Sequence, residues 1–377
     1  GVSLVEEGAR LLAELRFALN AVRLAGGVAA RVQRELAHST LTKEDKSPVT
    51  VADFAVQAVV GCLLQRACPD AVLVAEEDSQ AIREHENAGV LDKIARYVAG
   101  VLPEATPDKV GDWIDAGDGA PGPRFWTLDP IDGTKGFLRG EQYAVALALI
   151  ENGTVVLGVL GCPNLTDAHV PEPGGPGTLV AAVRGHGTWW TPMDGEETFQ
   201  RLCVSDRGDP VQARLLRSAE SGHTNVGRIG RLIEHLGVQA DPVRMDSQAK
   251  YAVLAAGEGD VLVRLLSSKQ PDYEERIWDQ AAGSIVVEEA GGRITDLAGA
   301  PLDFSAGKTL ARNRGVLATN GHLHEALHES GGPHLQPLEP FALEGERRIL
   351  RHGRAQVGIV KKGWEEALVE TLQVRHL

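Results

Sequence analysis

The chain has 377 residues, of which 43% are hydrophobic and 24% charged. It is too long for one compact core at the usual ~100–200 residues per domain and ordinary for a globular protein. Disordered, collagenous and coiled-coil chains are excluded, and apolar runs such as Ala144–Ile150 fall well short of the ~18 residues of a membrane span, so no membrane contact is expected. A net charge of −14 argues against general nucleic-acid binding, which needs basic surface to release counterions. A small phosphorylated ligand stays open, because a local cation reverses the field inside one cleft.

In chain order, residues 3–37 carry Leu4, Leu11, Leu12, Leu15 and Ala18 at helical spacing. A polar loop over 39–48 leads to Thr50, placed to cap a second helix that runs through Val56, Val59, Val60, Leu63 and Leu64 and stops near Pro69. Residues 71–75 have strand character and end in Glu76-Glu77-Asp78. Gly111–Arg124 reads as a loop, and Phe125–Leu128 as a short strand ending at Asp129. Tyr143–Ile150 and Thr154–Leu160 flank Asn152-Gly153, the strongest short hairpin signal. Residues 166–178 and 191–200 read as loops, and a domain change is expected near Val204–Val211. Beyond it come helices over Val226–Leu236 and Ser247–Gly257, a strand over Val261–Leu265 and a helix over Asp279–Ala290.

From Gly331 the text changes. Gly-Gly-Pro, Pro337 and Pro340 mark a linker, followed by a basic stretch (Arg347, Arg348, Arg351, Arg354, Lys361, Lys362) and a helical pattern in Trp364–Leu372. This tail, 331–377, is either a strap on its own domain or an extension that is disordered or binds a protein partner. Four cysteines (Cys62, Cys68, Cys162, Cys203) show no zinc spacing and no disulfide framework. Cys62 and Cys68 are close enough in sequence to pair under oxidation; the alternative is buried reduced thiols. Sparse cysteine favours a reducing intracellular compartment, cytoplasm or organelle interior. Glu6 and Glu7, with no apolar stretch after a basic start, are not those of a targeting segment.

Four acidic sites stand where a strand or loop meets a helix: Asp53, Glu76-Glu77, Asp129 with Asp132, and Asp279. Each alone has an ordinary explanation: a capping box after Thr50, a solvated strand end, turn chemistry at Asp129-Pro130, a favourable helix N-terminus at Asp279. Asp129-Pro130-Ile131-Asp132-Gly133-Thr134 changes that. Two carboxylates straddle a rigid proline in what reads as a tight turn, Gly133 lets a ligand approach the backbone, and Thr134 opens a short helix whose free N–H groups suit a phosphate. Carboxylates with a main-chain carbonyl form an all-oxygen set that selects a hard cation such as Mg²⁺ over zinc. Without cations, carboxylates so crowded must in part take up protons.

Asp129–Thr134 resembles the first signature of the inositol monophosphatase-like superfamily of magnesium-dependent, lithium-sensitive phosphatases. Trp278–Gly283 with Glu289–Gly292 resembles its second signature, Glu76-Glu77 its acidic pair and Asp53 its early aspartate, in order from about Leu15 to His324. Lys46–Asp53, Met245–Tyr251 and Glu274–Asp279 resemble the 3′(2′),5′-bisphosphate nucleotidase branch. The resemblance implies an α/β (α+β) fold, a layered α/β/α/β/α sandwich of the sugar-phosphatase type. Residues 1–205 would form the metal-binding phosphatase domain and 206–330 the substrate-binding domain, with the site between them.

It further implies two or three Mg²⁺ ions held by Glu76, Asp129, the carbonyl of Ile131, Asp132 and Asp279. Asp53 and Thr134 would act on the attacking water. Thr134, His223, Ser247, Lys250, Arg264 and Asp279 would hold the substrate. Glu77 is expected to support its neighbour or lie at the surface rather than ligate. The implied substrate is a small phosphorylated nucleotide, adenosine 3′,5′-bisphosphate, with 3′-phosphoadenylyl sulfate a second candidate and loss of the 3′-phosphate the reaction. The competing readings are an inositol-phosphate or fructose-bisphosphate phosphatase, and a non-catalytic subunit attached through its tail.

Overall fold

The computed structural model describes residues 4–37, 48–83, 88–219, 230, 234, 236–266, 270 and 272–335. The expected loop over 39–47, most of the expected helix over 226–236, His223, and the tail from residue 336 lie outside the described residues. Helix α1 (Leu4–Ala37) buries Leu15, Ala18, Leu19, Val22, Ala25, Ala29 and Val32, a single stripe at helical spacing. Helix α2 (Pro48–Ala67) is apolar enough in composition and length to pass for a membrane span over Val49–Ala67. It is instead a core helix, packed between α1 and the helices α4 (Ala88–Ala99) and α5 (Pro107–Asp115), with 78% of that window buried. A short helix α3 (Gln80–Arg83) lies between strand β1 (Leu73–Ala75) and α4.

Strands β2 (Arg124–Asp132), β3 (Ala144–Glu151), β4 (Thr154–Cys162), β7 (Thr178–Val183), β8 (Gly187–Pro192) and β9 (Gln200–Leu202) join β1 in a seven-stranded sheet, order β1-β2-β3-β4-β7-β8-β9. β1 runs parallel to β2, and every other pairing is antiparallel. Between β4 and β7, the two-residue strands β5 (Leu165–Thr166) and β6 (Val170–Pro171) form a small ladder in a segment expected to be loop. The second sheet has order β11-β10-β12-β14-β13: β10 (Leu215–Arg217), β11 (Val243–Arg244), β12 (Val261–Arg264), β13 (Arg293–Thr295) and β14 (Val316–Thr319). Helices α6 (Thr134–Leu138), α7 (Ala249–Ala255), α8 (Ala281–Glu289) and α9 (His324–Leu335) complete the described elements.

Burial sorts these elements into layers. On β3, Val145, Leu147 and Leu149 join a core with α1 and α2, whereas Ala144, Ala146, Ala148 and Ile150 join a second core with α7 and α8. That second core also takes Leu216, Leu262, Ile294 and Ala318 from the five-stranded sheet. The far face of that sheet, through Leu215, Val261 and Leu317, packs on Leu323 and Leu327 at α9. The order is helices, sheet, helices, sheet, helix: the expected α/β/α/β/α sandwich. A sheet covered on both faces explains why β3 and β4 read as continuous apolar runs rather than alternating ones. At Gly158 a Cβ would stand 2.6 Å from Ile285 Cγ2, so glycine there lets α8 seat directly on β4.

Four sequence expectations are corrected. Gly111–Asp115 is helical, because α5 starts at Pro107 behind Thr106, whose hydroxyl accepts from Lys109 N (3.4 Å). Thr50 lies inside the first turn of α2, which begins at Pro48, so it does not cap that helix with Asp53. Asp129–Asp132 is the end of strand β2, with a register shift between Asp129 and Asp132, and the chain turns only at Gly133 (φ 90°). Gly331, Gly332 and Pro333 lie within α9, which ends at Leu335, so the expected linker does not begin at Gly331. Cys62 and Cys68 are free thiols, and burial pushes both above their usual range.

Candidate functional site

β2 is the axis of the site. Parallel pairing of Ala75 with Leu128 brings Glu76, one residue beyond β1, beside Asp129 at the end of β2. Asp129 is buried at 3% exposure, and the adjoining side chain of Ile131 sits in the helical core, which fixes where its carbonyl lies. Asp53 comes from α2, also buried, and one turn further along the same helix stands Gln57. Gln57 is fully buried: its Nε2 donates to the Glu77 carbonyl (2.6 Å) and the Ile114 carbonyl (2.9 Å), and its Oε1 accepts from Glu77 N (3.1 Å). It therefore clamps the backbone that presents Glu76 over Asp53.

The second sheet contributes from the other side. Asp279 ends the 3₁₀ turn Ile277–Asp279 just before α8. Gln248 N donates to Asp132 Oδ2 (2.6 Å), while Gln248 Nε2 donates to the Trp278 carbonyl (3.0 Å) and its Oε1 accepts from Gly283 N (3.0 Å). One buried glutamine thus couples the end of β2 to the turn that bears Asp279. Ser247 adopts φ 73°, unusual for a residue with a side chain, and its hydroxyl accepts from Ala249 N (3.1 Å). Lys250 is 9% exposed at the start of α7. The Arg264 guanidinium is locked on Glu275.

Gly133 faces Ser247 so closely that a Cβ on it would come within 2.7 Å of Ser247 Cβ. Gly133→Ala is expected to destabilise the protein by at least ~2 kcal/mol, from a left-handed backbone cost of about 1–2 kcal/mol and the clash. It should also reduce activity by splaying Asp132 from Gln248 N. Chemical denaturation beside an activity assay checks this; wild-type stability would exclude the contact.

The electrostatics fit a shared anionic pocket. Burial, then Asp132, Glu76, Asp279 and Asp53, push Asp129 well above the carboxylate range. Burial, then Glu77 and Glu76, do the same to Asp53. Asp279 rises to about 7 through burial and then Asp132, and Glu77 to about 7 through burial, Glu76 and Asp78. Glu76 is raised by burial and then Asp132, against a hydrogen bond with Asp129. Asp132 is raised by burial despite Lys250 and Arg264. Burial and the Arg264 cation hold Lys250 down to about 8, against the pull of Asp132.

Asp129 Oδ1 is buried with no hydrogen-bond partner, a costly state for a carboxylate oxygen. Among the described residues no three His, Cys, Asp or Glu side chains close on one point as a metal-holding group. The carboxylates are therefore electrostatic neighbours rather than a tight cage. An all-oxygen set of like charges, with one orphaned oxygen at its centre, fits a hard divalent cation.

The structure gathers Asp53, Glu76, Asp129, Asp132 and Asp279 electrostatically, with Lys250 and Arg264 at the rim beside Asp132. Thr134 is exposed at the start of α6, a five-residue helix lying against α2; among the described residues no hydrogen bond joins it to Asp53. Sequence reasoning passed over Gln57, Gln248, Glu275 and Gln280. The signal was available: a lone glutamine inside apolar helix text, such as Gln57 in Val49–Ala67, must find partners once buried.

The sequence profile of the inositol monophosphatase family matches residues 13–334. The chain is 40% identical over 351 residues to the 3′(2′),5′-bisphosphate nucleotidase of Schizosaccharomyces pombe, covering 86% of this chain and 98% of that protein. It is 42% identical over 334 residues to the 3′(2′),5′-bisphosphate nucleotidase of Oryza sativa, covering 84% and 92%. Among solved structures, it is similar in fold to the SuhB protein of Mycobacterium tuberculosis (TM-score 0.56, 20% identity, 88% of this chain and 98% of that one). It is also similar to an IMPase of Thermotoga maritima (TM-score 0.57, 22% identity, 85% and 98%).

Proposed function

The chain belongs to the inositol monophosphatase family, and within it we propose a 3′(2′),5′-bisphosphate nucleotidase that hydrolyses the 3′-phosphate of adenosine 3′,5′-bisphosphate to give AMP and phosphate. The observation that carries this reading is the 40% identity sustained across 98% of the fission-yeast nucleotidase. The buried carboxylates around the orphaned Asp129 oxygen support the phosphatase chemistry.

Glu76, Asp129, Asp132, Asp279 and the Ile131 carbonyl would hold two or three Mg²⁺. When bound, such ions polarise phosphoryl oxygens and lower the pKa of water. The protein's own groups do the rest. Asp53, reached from the Thr134 hydroxyl through an intervening water, takes the proton of the attacking water as that oxygen bonds to phosphorus; the phosphorus–O3′ bond breaks, and the 3′-oxygen leaves as a hydroxyl by taking a proton from solvent. Gln57 and Gln248 keep the two halves of the carboxylate set aligned. Lys250 and Arg264, which offset the charge of Asp132, hold the substrate's second phosphate with Ser247, and His223 contacts the purine.

Phosphate release in Mg²⁺ from adenosine 3′,5′-bisphosphate, 3′-phosphoadenylyl sulfate, inositol 1-phosphate and fructose 1,6-bisphosphate tests the reading. The adenosine substrates should be preferred by at least about tenfold in kcat/KM, the equivalent of one charge-assisted contact. A preference for inositol 1-phosphate would overturn it.

A further inference from the structure

Behind Arg264 lies a polar chain that the catalytic reading does not use. Arg264, at the end of β12, offers one edge of its guanidinium to Glu275: Nη2 stands 2.9 Å from Oε2, and Nε donates to Oε1 (3.2 Å). Glu275 is itself buried at 7% exposure, and its Oε2 also accepts from Gln280 Nε2 (2.9 Å). Gln280, fully buried, accepts in turn from the Tyr251 hydroxyl (2.5 Å), and Tyr251 is 2% exposed on α7. Arg264, by contrast, keeps 38% of its side chain exposed.

This arrangement has a directional consequence. A guanidinium gripped along its Nε/Nη2 edge cannot rotate, and its remaining donors, on Nη1 and the outer side of Nη2, face away from the carboxylate. Those donors belong to a cation close enough to Asp132 and Asp279 to lower the cost of their charge. Arg264 therefore presents a fixed edge at the rim of the carboxylate pocket. A planar fork of this kind suits two oxygens of one phosphate group. A buried acid whose two oxygens are both spent on holding one arginine and one glutamine also costs stability unless those partners stay in place.

We propose that Glu275 is a positioning residue for substrate selectivity: through the buried Tyr251–Gln280–Glu275 chain it aims Arg264 at the second phosphate, and so favours a nucleoside bisphosphate over the corresponding 3′-monophosphate. This rests on the nucleotidase reading. Glu275 touches no reacting atom, and its effect reaches the substrate only through Arg264.

The test compares wild type, Glu275→Gln, Arg264→Ala and the double variant, using adenosine 3′,5′-bisphosphate, adenosine 3′-monophosphate and calorimetric binding of AMP. Glu275→Gln should lower the bisphosphate-to-monophosphate ratio of kcat/KM by about tenfold. The loss should lie in KM, with AMP binding weakened to match. The double variant should fall no further in that ratio than Arg264→Ala alone, since both changes remove one coupled unit. A merely structural role would lower kcat for both nucleotides together and leave the ratio in place, overturning the proposal, as would additive losses in the double variant. If Glu275→Gln fails to fold, Tyr251→Phe loosens the same chain from its far end; a reduced ratio there supports the proposal and an unchanged one overturns it. Wild type that prefers inositol 1-phosphate would instead defeat the nucleotidase reading itself, an outcome visible before any variant is measured.

Discussion

Asp129→Asn is expected to cut kcat/KM for adenosine 3′,5′-bisphosphate by about 10³-fold, a decade beyond the ~10–100-fold that substitution of an outer-shell partner costs. The same substitution should make the metal-free protein more resistant to heat. Both effects have one cause. Asp129 is buried, its Oδ1 has no partner, and four other carboxylates act on it from Asp132, Glu76, Asp279 and Asp53. A carboxylate in that position is tolerable only with a cation or a proton, so a neutral amide relieves the folded state while removing the central anionic donor. The amide NH₂ can also donate toward Glu76, the neighbour that already hydrogen-bonds Asp129. Steady-state kinetics at saturating Mg²⁺, beside thermal unfolding in chelator, read the two effects independently. Full activity, or a lower melting temperature without metal, would show that Asp129 is an ordinary buried aspartate.

How much of this was legible in the sequence depends on the range of the interactions involved. The carboxylates announced themselves because Asp129 and Asp132 lie three residues apart in a recognisable string, and because Glu76-Glu77 ends an apolar run. The layer order followed from the resemblance. Periodicity gave α1, and the Asn152-Gly153 pair between two apolar runs gave the β3–β4 hairpin, because both signals are local. It missed β7, β8 and β9, although Thr178–Val183 is an apolar run next to glycine, because those strands matter only as partners across the sheet. The turn expected at Asp129–Asp132 is a strand end for the same reason: β3 pairs with it, and local proline chemistry yields to that ladder. The glutamines were the least legible part. Gln57, Gln248 and Gln280 each bond to residues 20 or more positions away or on another element, and nothing in their neighbours' identities reveals those partners.

The stability of the metal-free protein should fall as pH rises from about 4 to about 7, and Mg²⁺ should abolish that fall. An acid whose folded pKa is raised binds more protons in the native than in the unfolded state, so stability decreases with pH between the two values. Asp279 and Glu77 are each pushed up to about 7, the first by burial and then Asp132, the second by burial and then Glu76 and Asp78. Asp53, Asp129, Glu76 and Asp132 are raised as well, all by burial first. Each such group costs about 1.4 kcal/mol per pH unit inside its own window, so a few acting together make a loss of several kcal/mol. Lys250 works in the opposite direction, but only above about 8, where its depressed value means the folded protein sheds that proton before the unfolded chain does. Divalent cations favour the ionised carboxylates, so they should flatten the slope and widen the stability gap between metal-bound and metal-free protein with each step in pH. Melting temperatures across that range, in chelator and in millimolar Mg²⁺, check the sign. A Mg²⁺ increment independent of pH would mean that the ions bind elsewhere on the surface, and that the raised acids around Asp129 answer to protons alone.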